Sequence, residues 1–206
     1  MAAALIRVAI VDDHPVVRDG TAALLAAQEG IQVVGTTSSL DEARALVAST
    51  EIDVLLLDIR LGTDSGLRLL ANEGQGDVRP AIIVLTAYDY PQYAEAALRL
   101  GAAGFVLKTA PLAELLDAIR RAGAGGLAFG VRPPPQATRI SGRELDVVRL
   151  VVEGRSNDEI GVALGIGSKT VETHLRRLFD RFGAGSRTEL ATRALREGWL
   201  DIPPVG

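Results

Sequence analysis

Val54, Leu55, Leu56 and Leu57 stand in a row and are followed at once by a carboxylate, Asp58. Four consecutive apolar residues suit a strand covered on both faces, the setting of a parallel sheet. The next residues, Ile59 to Gly66, read as a loop, so Asp58 belongs at the C-terminal tip of that strand. In open α/β sheets, sites form along this rim.

The rest of the first 122 residues repeats the pattern. Strands are expected over 5–11, 31–36, 53–57, 81–85 and 104–107. Helices are expected from about Pro15 and over 40–49, 66–72, 91–100 and 111–122, the last with a stripe of Leu112, Leu115, Leu116 and Ile119. Five strands alternating with five helices predict a doubly wound five-stranded parallel sheet. From Gly123 the pattern breaks into glycines and then Pro133, Pro134 and Pro135, which predicts a partly stiff linker over 123–138. Residues 139–206 then form a second, all-α domain of four helices at about 142–153, 157–164, 169–182 and 187–197. Three of their starts carry the Ser-x-x-Glu form of a capping box: Ser141 with Glu144, Ser156 with Glu159 and Ser186 with Glu189. The second and third helices are joined by Gly165-Ile166-Gly167-Ser168, a short turn of helix-turn-helix type.

Charge divides along the same boundary. Residues 1–122 hold 10 basic and 16 acidic side chains, whereas residues 139–206 hold 11 basic and 10 acidic ones. An acidic half joined to a near-neutral half argues for modules with different partners. With no cysteine, the chain has neither a disulfide framework nor a thiolate nucleophile, which fits a reducing cytoplasm. No secretory signal is read at residues 1–7, and no apolar run approaches the roughly 20 residues of a membrane span.

The residues just past each strand carry the chemistry. Asp12 and Asp13 follow the first, Asp58 the third, Thr86 the fourth and Lys108 the fifth. The second contributes nothing comparable, as an edge strand would in the order 2-1-3-4-5. Each residue alone has a plain explanation: Asp12 and Asp13 can begin a helix, and Lys108 can be a surface charge. Five together at strand ends argue for a site. Three gathered carboxylates repel and need a cation, and an all-oxygen set favours Mg²⁺. Asp58 can then act as a nucleophile toward a phosphoryl donor, with Lys108 and Mg²⁺ neutralising oxygens and Thr86 hydrogen-bonding one of them.

In the second domain, Val171, Leu175, Leu178, Phe179 and Phe182 form one apolar stripe on helix 169–182. The other face offers Lys169, Thr170, Thr173, Arg176, Arg177 and Arg181, diluted by Glu172 and Asp180. Such a face suits phosphates and base edges in a major groove, although an ordinary solvated helix can look similar.

Val11-Asp12-Asp13-His14-Pro15, Leu57-Asp58-Ile59-Arg60, Leu85-Thr86-Ala87 and Phe105-Val106-Leu107-Lys108 resemble the receiver domains of bacterial two-component response regulators, a flavodoxin-like fold. The resemblance implies that Asp58 accepts a phosphoryl group from a phosphohistidine on a sensor histidine kinase. It further implies that Asp13, Asp58 and the Arg60 carbonyl ligate Mg²⁺, with Asp12 acting largely through water. Phe105 matches the aromatic switch that follows Thr86, with core packing as its other reading. One departure is Leu61-Gly62 where the family usually has Met-Pro, which predicts a looser loop.

Leu145 to Gly154, Ser156 to Ile160 and Lys169 to His174 resemble the LuxR-type helix-turn-helix, so the whole chain is similar to the NarL/FixJ type of response regulator. The implied base contacts are Glu172, Thr173 and Arg176, with Lys169, Thr170 and Arg177 on the DNA backbone and a homodimer on double-stranded DNA. His14 and His174 lie in different modules and make no metal pair. Two other functions are open to such a chain. A phosphohydrolase using an aspartyl phosphate usually has a second carboxylate two residues after the nucleophile, where this chain has Arg60. A phosphorylation-independent regulator tends to lack one of the acids or the lysine, all of which are present.

Overall fold

The computed structural model describes residues 5–72, 80–129 and 140–201. The chain forms two compact units, residues 1–132 and 133–206.

The first unit runs β1 (Ile6–Val11), α1 (Pro15–Ala26), β2 (Ile31–Thr37), α2 (Leu40–Ser49), β3 (Val54–Leu57), β4 (Arg60–Leu61), β5 (Asp64–Ser65), α3 (Leu67–Asn72), β6 (Ala81–Thr86), α4 (Pro91–Arg99), β7 (Gly104–Leu107), α5 (Leu112–Gly123) and β8 (Ala128–Phe129). The main sheet has the order β2-β1-β3-β6-β7-β8, with every pair parallel. Its first five strands keep the 2-1-3-4-5 order expected from the sequence. All four residues of β3 are fully buried, and burying each such side chain contributes about 1.5–3 kcal/mol. Leu115, Leu116 and Ile119 of α5 join β1, β3 and β6 in one core, with Leu112 packed at its edge.

The sheet has six strands where five were expected. After α5 the chain turns back through Gly125-Gly126, and Ala128 and Phe129 pair with Gly104 and Phe105. Gly104 permits this approach, since a β-carbon there would lie 2.6 Å from the Ala128 carbonyl oxygen. The first part of the segment read as linker is therefore sheet. Its remainder, including the three prolines, falls outside the described residues.

The second unit holds α6 (Gly142–Val152), α7 (Asn157–Leu164), α8 (Ser168–Phe182), α9 (Arg187–Arg196) and a short 3-10 turn, Trp199–Asp201. Its core gathers Leu145, Val148, Ile160, Val171, Leu178 and Leu190, and the buried Trp199 packs on Phe182 with ring centroids 4.4 Å apart. Capping boxes close reciprocally at Ser141–Glu144 and Ser156–Glu159. The third differs: Ser186 accepts from the Glu189 amide, but the Glu189 carboxylate takes the Gly185 amide at 2.8 Å. Ser186 has φ −155°, against −69° at the other two caps, so its backbone is set differently for a return bond.

The C-termini of α7 and α8 are closed by arginines from other helices. Arg143 donates to the Leu164 carbonyl at the end of α7, Arg187 to the Arg155 carbonyl beyond α6, and Arg193 to the Phe182 carbonyl at the end of α8. At Leu164 and Phe182 the cation satisfies an orphan acceptor and suits the negative end of the helix dipole, whereas the Arg155 carbonyl lies in the α6–α7 connection.

Candidate functional site

Parallel register carries the strand ends to one rim. Val11 pairs with Leu57, Leu57 with Val84, and Thr86 with Leu107, so Asp12, Asp58, Thr86 and Lys108 emerge side by side. Asp12, Asp58 and Thr86 are buried, and Asp13 is half-buried.

Lys108 crosses the cluster. Its Nζ lies 2.7 Å from Asp12 Oδ2 and donates to Asp58 Oδ2 at 2.6 Å. Burial pushes the Asp58 carboxyl above its ordinary range, and the lysine offsets only part of that rise. Burial alone lowers Lys108, but its bonds to Asp12 and Asp58 outweigh this and hold it above the usual lysine range.

The acids differ in what remains free. Asp12 Oδ1 accepts from the His14 amide at 2.9 Å while Oδ2 faces Lys108. Asp13 Oδ2 accepts from the Gly62 amide at 2.8 Å, and its Oδ1 is buried without a hydrogen bond. His14 Nδ1 sits 2.7 Å from that oxygen, a favourable ion pair only when the imidazole is protonated. Atoms of Asp12, Asp13, His14 and Asp58 lie within 4.8 Å of one another, close enough to share one metal ion. Three carboxylates with one orphaned oxygen, against one lysine, fit a hard divalent cation.

The loop beyond Asp58 forms a hairpin. Arg60 and Leu61 pair antiparallel with Ser65 and Asp64 across Gly62-Thr63. Gly62 has φ +62°, and a positive φ at the first loop residue alone is the pattern of a type II′ hairpin. The tip of this hairpin holds Asp13. Arg60 reaches back through its amide to Asp58 Oδ1 at 3.5 Å. Its guanidinium meets Tyr88, a residue the sequence reading did not single out. Phe105 is fully buried on β7, and the Thr86 hydroxyl accepts from the Tyr88 amide at 3.2 Å.

On α8, Lys169, Thr170, Glu172, Thr173, Arg176 and Arg177 are all exposed. Arg176 pairs with Glu172 at 3.2 Å, one turn away, while Lys169 and Arg177 have no ion-pair partner among the described residues. Arg181 does not belong to this free basic face: it lies 2.8 Å from Glu144, which is buried at the start of α6. Burial raises Glu144, but Arg181 and Ser141 outweigh it and hold the carboxyl below its usual range.

An acidic sheet rim crossed by a lysine, in a chain that goes on to a helix-turn-helix unit, defines a signal-receiving DNA-binding regulator. This chain belongs to the response regulators: residues 8–120 match the response regulator receiver domain, and residues 138–194 match the bacterial regulatory proteins of the luxR family. Relatives include the transcriptional regulatory protein UhpA of Salmonella typhimurium, 35% identical over 95% of this chain and 100% of that protein. LiaR of Bacillus subtilis is 32% identical over 93% of this chain and 98% of its own length. Among solved structures, RcsB from Salmonella enterica serovar Typhimurium, bound to promoter P1flhDC in the presence of phosphomimetic BeF3-, is 25% identical, with a TM-score of 0.69 over 95% of this chain and 98% of that one. No helix among the described residues is long and apolar enough to cross a membrane.

Proposed function

We propose that this transcription regulator is switched by phosphorylation of Asp58. A phosphohistidine on a sensor histidine kinase is the donor. An Asp58 oxygen attacks phosphorus, the phosphorus–nitrogen bond breaks, and the imidazole leaves with the electron pair. The observation that carries this reading is the Lys108 ammonium, held 2.6 Å from Asp58 and 2.7 Å from Asp12. A cation fixed beside the acceptor stabilises charge on the transferring group without reorganising. Asp13, Asp58 and the Arg60 carbonyl would hold Mg²⁺, with Asp12 acting through water. Held there, Mg²⁺ would supply positive charge to neutralise the transferring group. Thr86 hydrogen-bonds one phosphoryl oxygen, and Phe105 follows its movement.

The output follows from the second module. Phosphorylated chains form a homodimer that binds an operator in double-stranded DNA within the cytoplasm. Glu172, Thr173 and Arg176 read base edges, while Lys169, Thr170 and Arg177 hold the backbone. Residues 1–122, with the edge strand β8, serve as receiver, the rest of 123–138 joins the modules, and 139–206 bind DNA.

Intact mass after treatment with acetyl phosphate and Mg²⁺, combined with sizing, tests this reading. Wild type should gain one phosphoryl group and shift toward a dimer, and Asp58→Asn should do neither. Stoichiometric phosphorylation of Asp58→Asn would remove Asp58 from the role.

A further inference from the structure

Three side chains of α8 differ in what they have left to offer a partner. Thr173 is exposed, and its hydroxyl donates to the Lys169 carbonyl one turn back at 2.9 Å. The only donor of that side chain is thus spent on its own helix, and the methyl remains for an outside contact. Glu172 and Arg176 are exposed too, and Arg176 Nη2 donates to Glu172 Oε1 at 3.2 Å. That bond leaves Glu172 Oε2 to accept and the remaining guanidinium N–H groups to donate.

Phosphates repel a carboxylate, so in a DNA groove Glu172 needs a base that donates. In the major groove only cytosine N4 and adenine N6 do so. Adenine sets its N7 acceptor beside the amino group, where it repels the second carboxylate oxygen, so cytosine is the better partner. Across a C·G pair the groove edge runs donor, acceptor, acceptor, from cytosine N4 through guanine O6 to guanine N7. Glu172 and Arg176, joined by their hydrogen bond, present the complementary run of acceptor, donor, donor. Because the pair is made in the free protein, less side-chain freedom is lost on binding. Thymine alone carries a methyl group in this groove, and a second methyl against it takes apolar surface out of water.

We infer that Glu172 and Arg176 read one C·G pair as a unit, and that Thr173 reads a neighbouring thymine through its methyl group. The inference rests on α8 being the helix that meets base edges. The half-site it binds then carries a C·G pair beside a thymine.

Selection of binding sites from a random pool of double-stranded DNA by full-length protein treated with acetyl phosphate and Mg²⁺ provides the test. Competition against single-base variants of the selected site then gives the preference at each position. Wild type should prefer C·G about five- to a hundredfold at one position of each half-site, beside a thymine. Glu172→Ala and Arg176→Ala should each flatten the preference at that same position. The double variant should lose no more there than the weaker single variant, because both remove one reader. Glu172→Gln, which donates as well as accepts, should move the preference toward A·T. Replacing the thymine by deoxyuridine, which removes only the methyl, should weaken wild type about fourfold. The same replacement should weaken Thr173→Val, which keeps the methyl, and leave Thr173→Ser unaffected. Preferences lost at different positions for Glu172 and Arg176, or losses that multiply in the double variant, overturn the paired reading. A deoxyuridine effect absent from wild type, or kept in Thr173→Ser and lost in Thr173→Val, overturns the methyl contact. If wild type selects a common sequence that none of these substitutions alters, the inference fails while DNA binding by the chain stands. If wild type selects no common sequence, the reading of α8 as a base-reading helix falls, and the inference with it.

Discussion

The Gly62 amide donates to Asp13 Oδ2 at 2.8 Å from a backbone with φ +62°. Proline can neither donate that bond nor adopt that angle, and alanine keeps the bond at a strained angle. Gly62→Ala should therefore cost about 1 kcal/mol of stability and leave Mg²⁺ affinity near wild type. Gly62→Pro should lose both stability and several-fold in Mg²⁺ affinity, measured by calorimetric titration. Identical Mg²⁺ affinity in all three proteins would show that the amide does not position Asp13.

Asp12 and Asp13 should not be equivalent toward Mg²⁺. Asp12 has both oxygens engaged by His14 and Lys108, whereas Asp13 keeps one buried oxygen free of hydrogen bonds. Asp13→Ala should weaken Mg²⁺ binding more than Asp12→Ala does, and equal losses in the same titration would refute the division.

Asp58 should carry a stability cost that depends on pH. Burial raises its folded pKa, so the folded state prefers the protonated form, and stability falls as pH rises from the unfolded carboxylate range, near 4, through the folded value. Asp58→Asn removes the titrating group and leaves Lys108 paired with Asp12. Its unfolding midpoint at pH 7 should exceed that of wild type, with the difference shrinking in acid. A lower midpoint at pH 7 would mean that the Lys108 bond outweighs burial.

Glu144 works in the opposite sense. Its folded pKa is depressed, so the stability it contributes is present above the unfolded carboxylate range and lost as pH falls through the lower folded value. Glu144→Gln should cost about 2 kcal/mol at pH 7, between the values for exposed and buried pairs, because it leaves Arg181 without its carboxylate. Thermal unfolding between neutral pH and about pH 3 checks both the size and the sign.

Arg176 and Arg177 should separate readout from positioning. Arg177→Ala should weaken binding to all sequences alike and lower the salt slope by about 1. Arg176→Ala should cost about 1–3 kcal/mol of discrimination at one position of each half-site. Competition against single-base operator variants distinguishes them, and the reverse pattern would exchange the two roles.

The rim residues were legible because each follows directly on an apolar run, and a parallel sheet must bring those ends together. The edge strand β8 was not, since two residues in a glycine-rich stretch carry no alternation and owe their place to the missing side chain of Gly104. A helical wheel put Arg181 on the basic face correctly as a direction, but it has no knowledge of α6, whose Glu144 occupies that direction. The hairpin over Gly62 is hidden from the sequence for a related reason. Glycine in a loop signals freedom until the partner that uses the freedom, here Asp13, is located. The Arg60–Tyr88 contact joins residues 28 apart, a pairing that no local pattern encodes.

The arginines that close the helix ends lie on α6 and α9, and the exposed polar residues proposed to meet DNA lie on α8. Holding the module together and choosing a sequence are thus assigned to different side chains. Substitutions among Lys169, Thr170, Glu172, Thr173, Arg176 and Arg177 leave the α7 and α8 C-termini closed, so the surface can drift to a new operator through folded intermediates. After gene duplication, a copy of this chain can change its targets one residue at a time without first acquiring compensating stability.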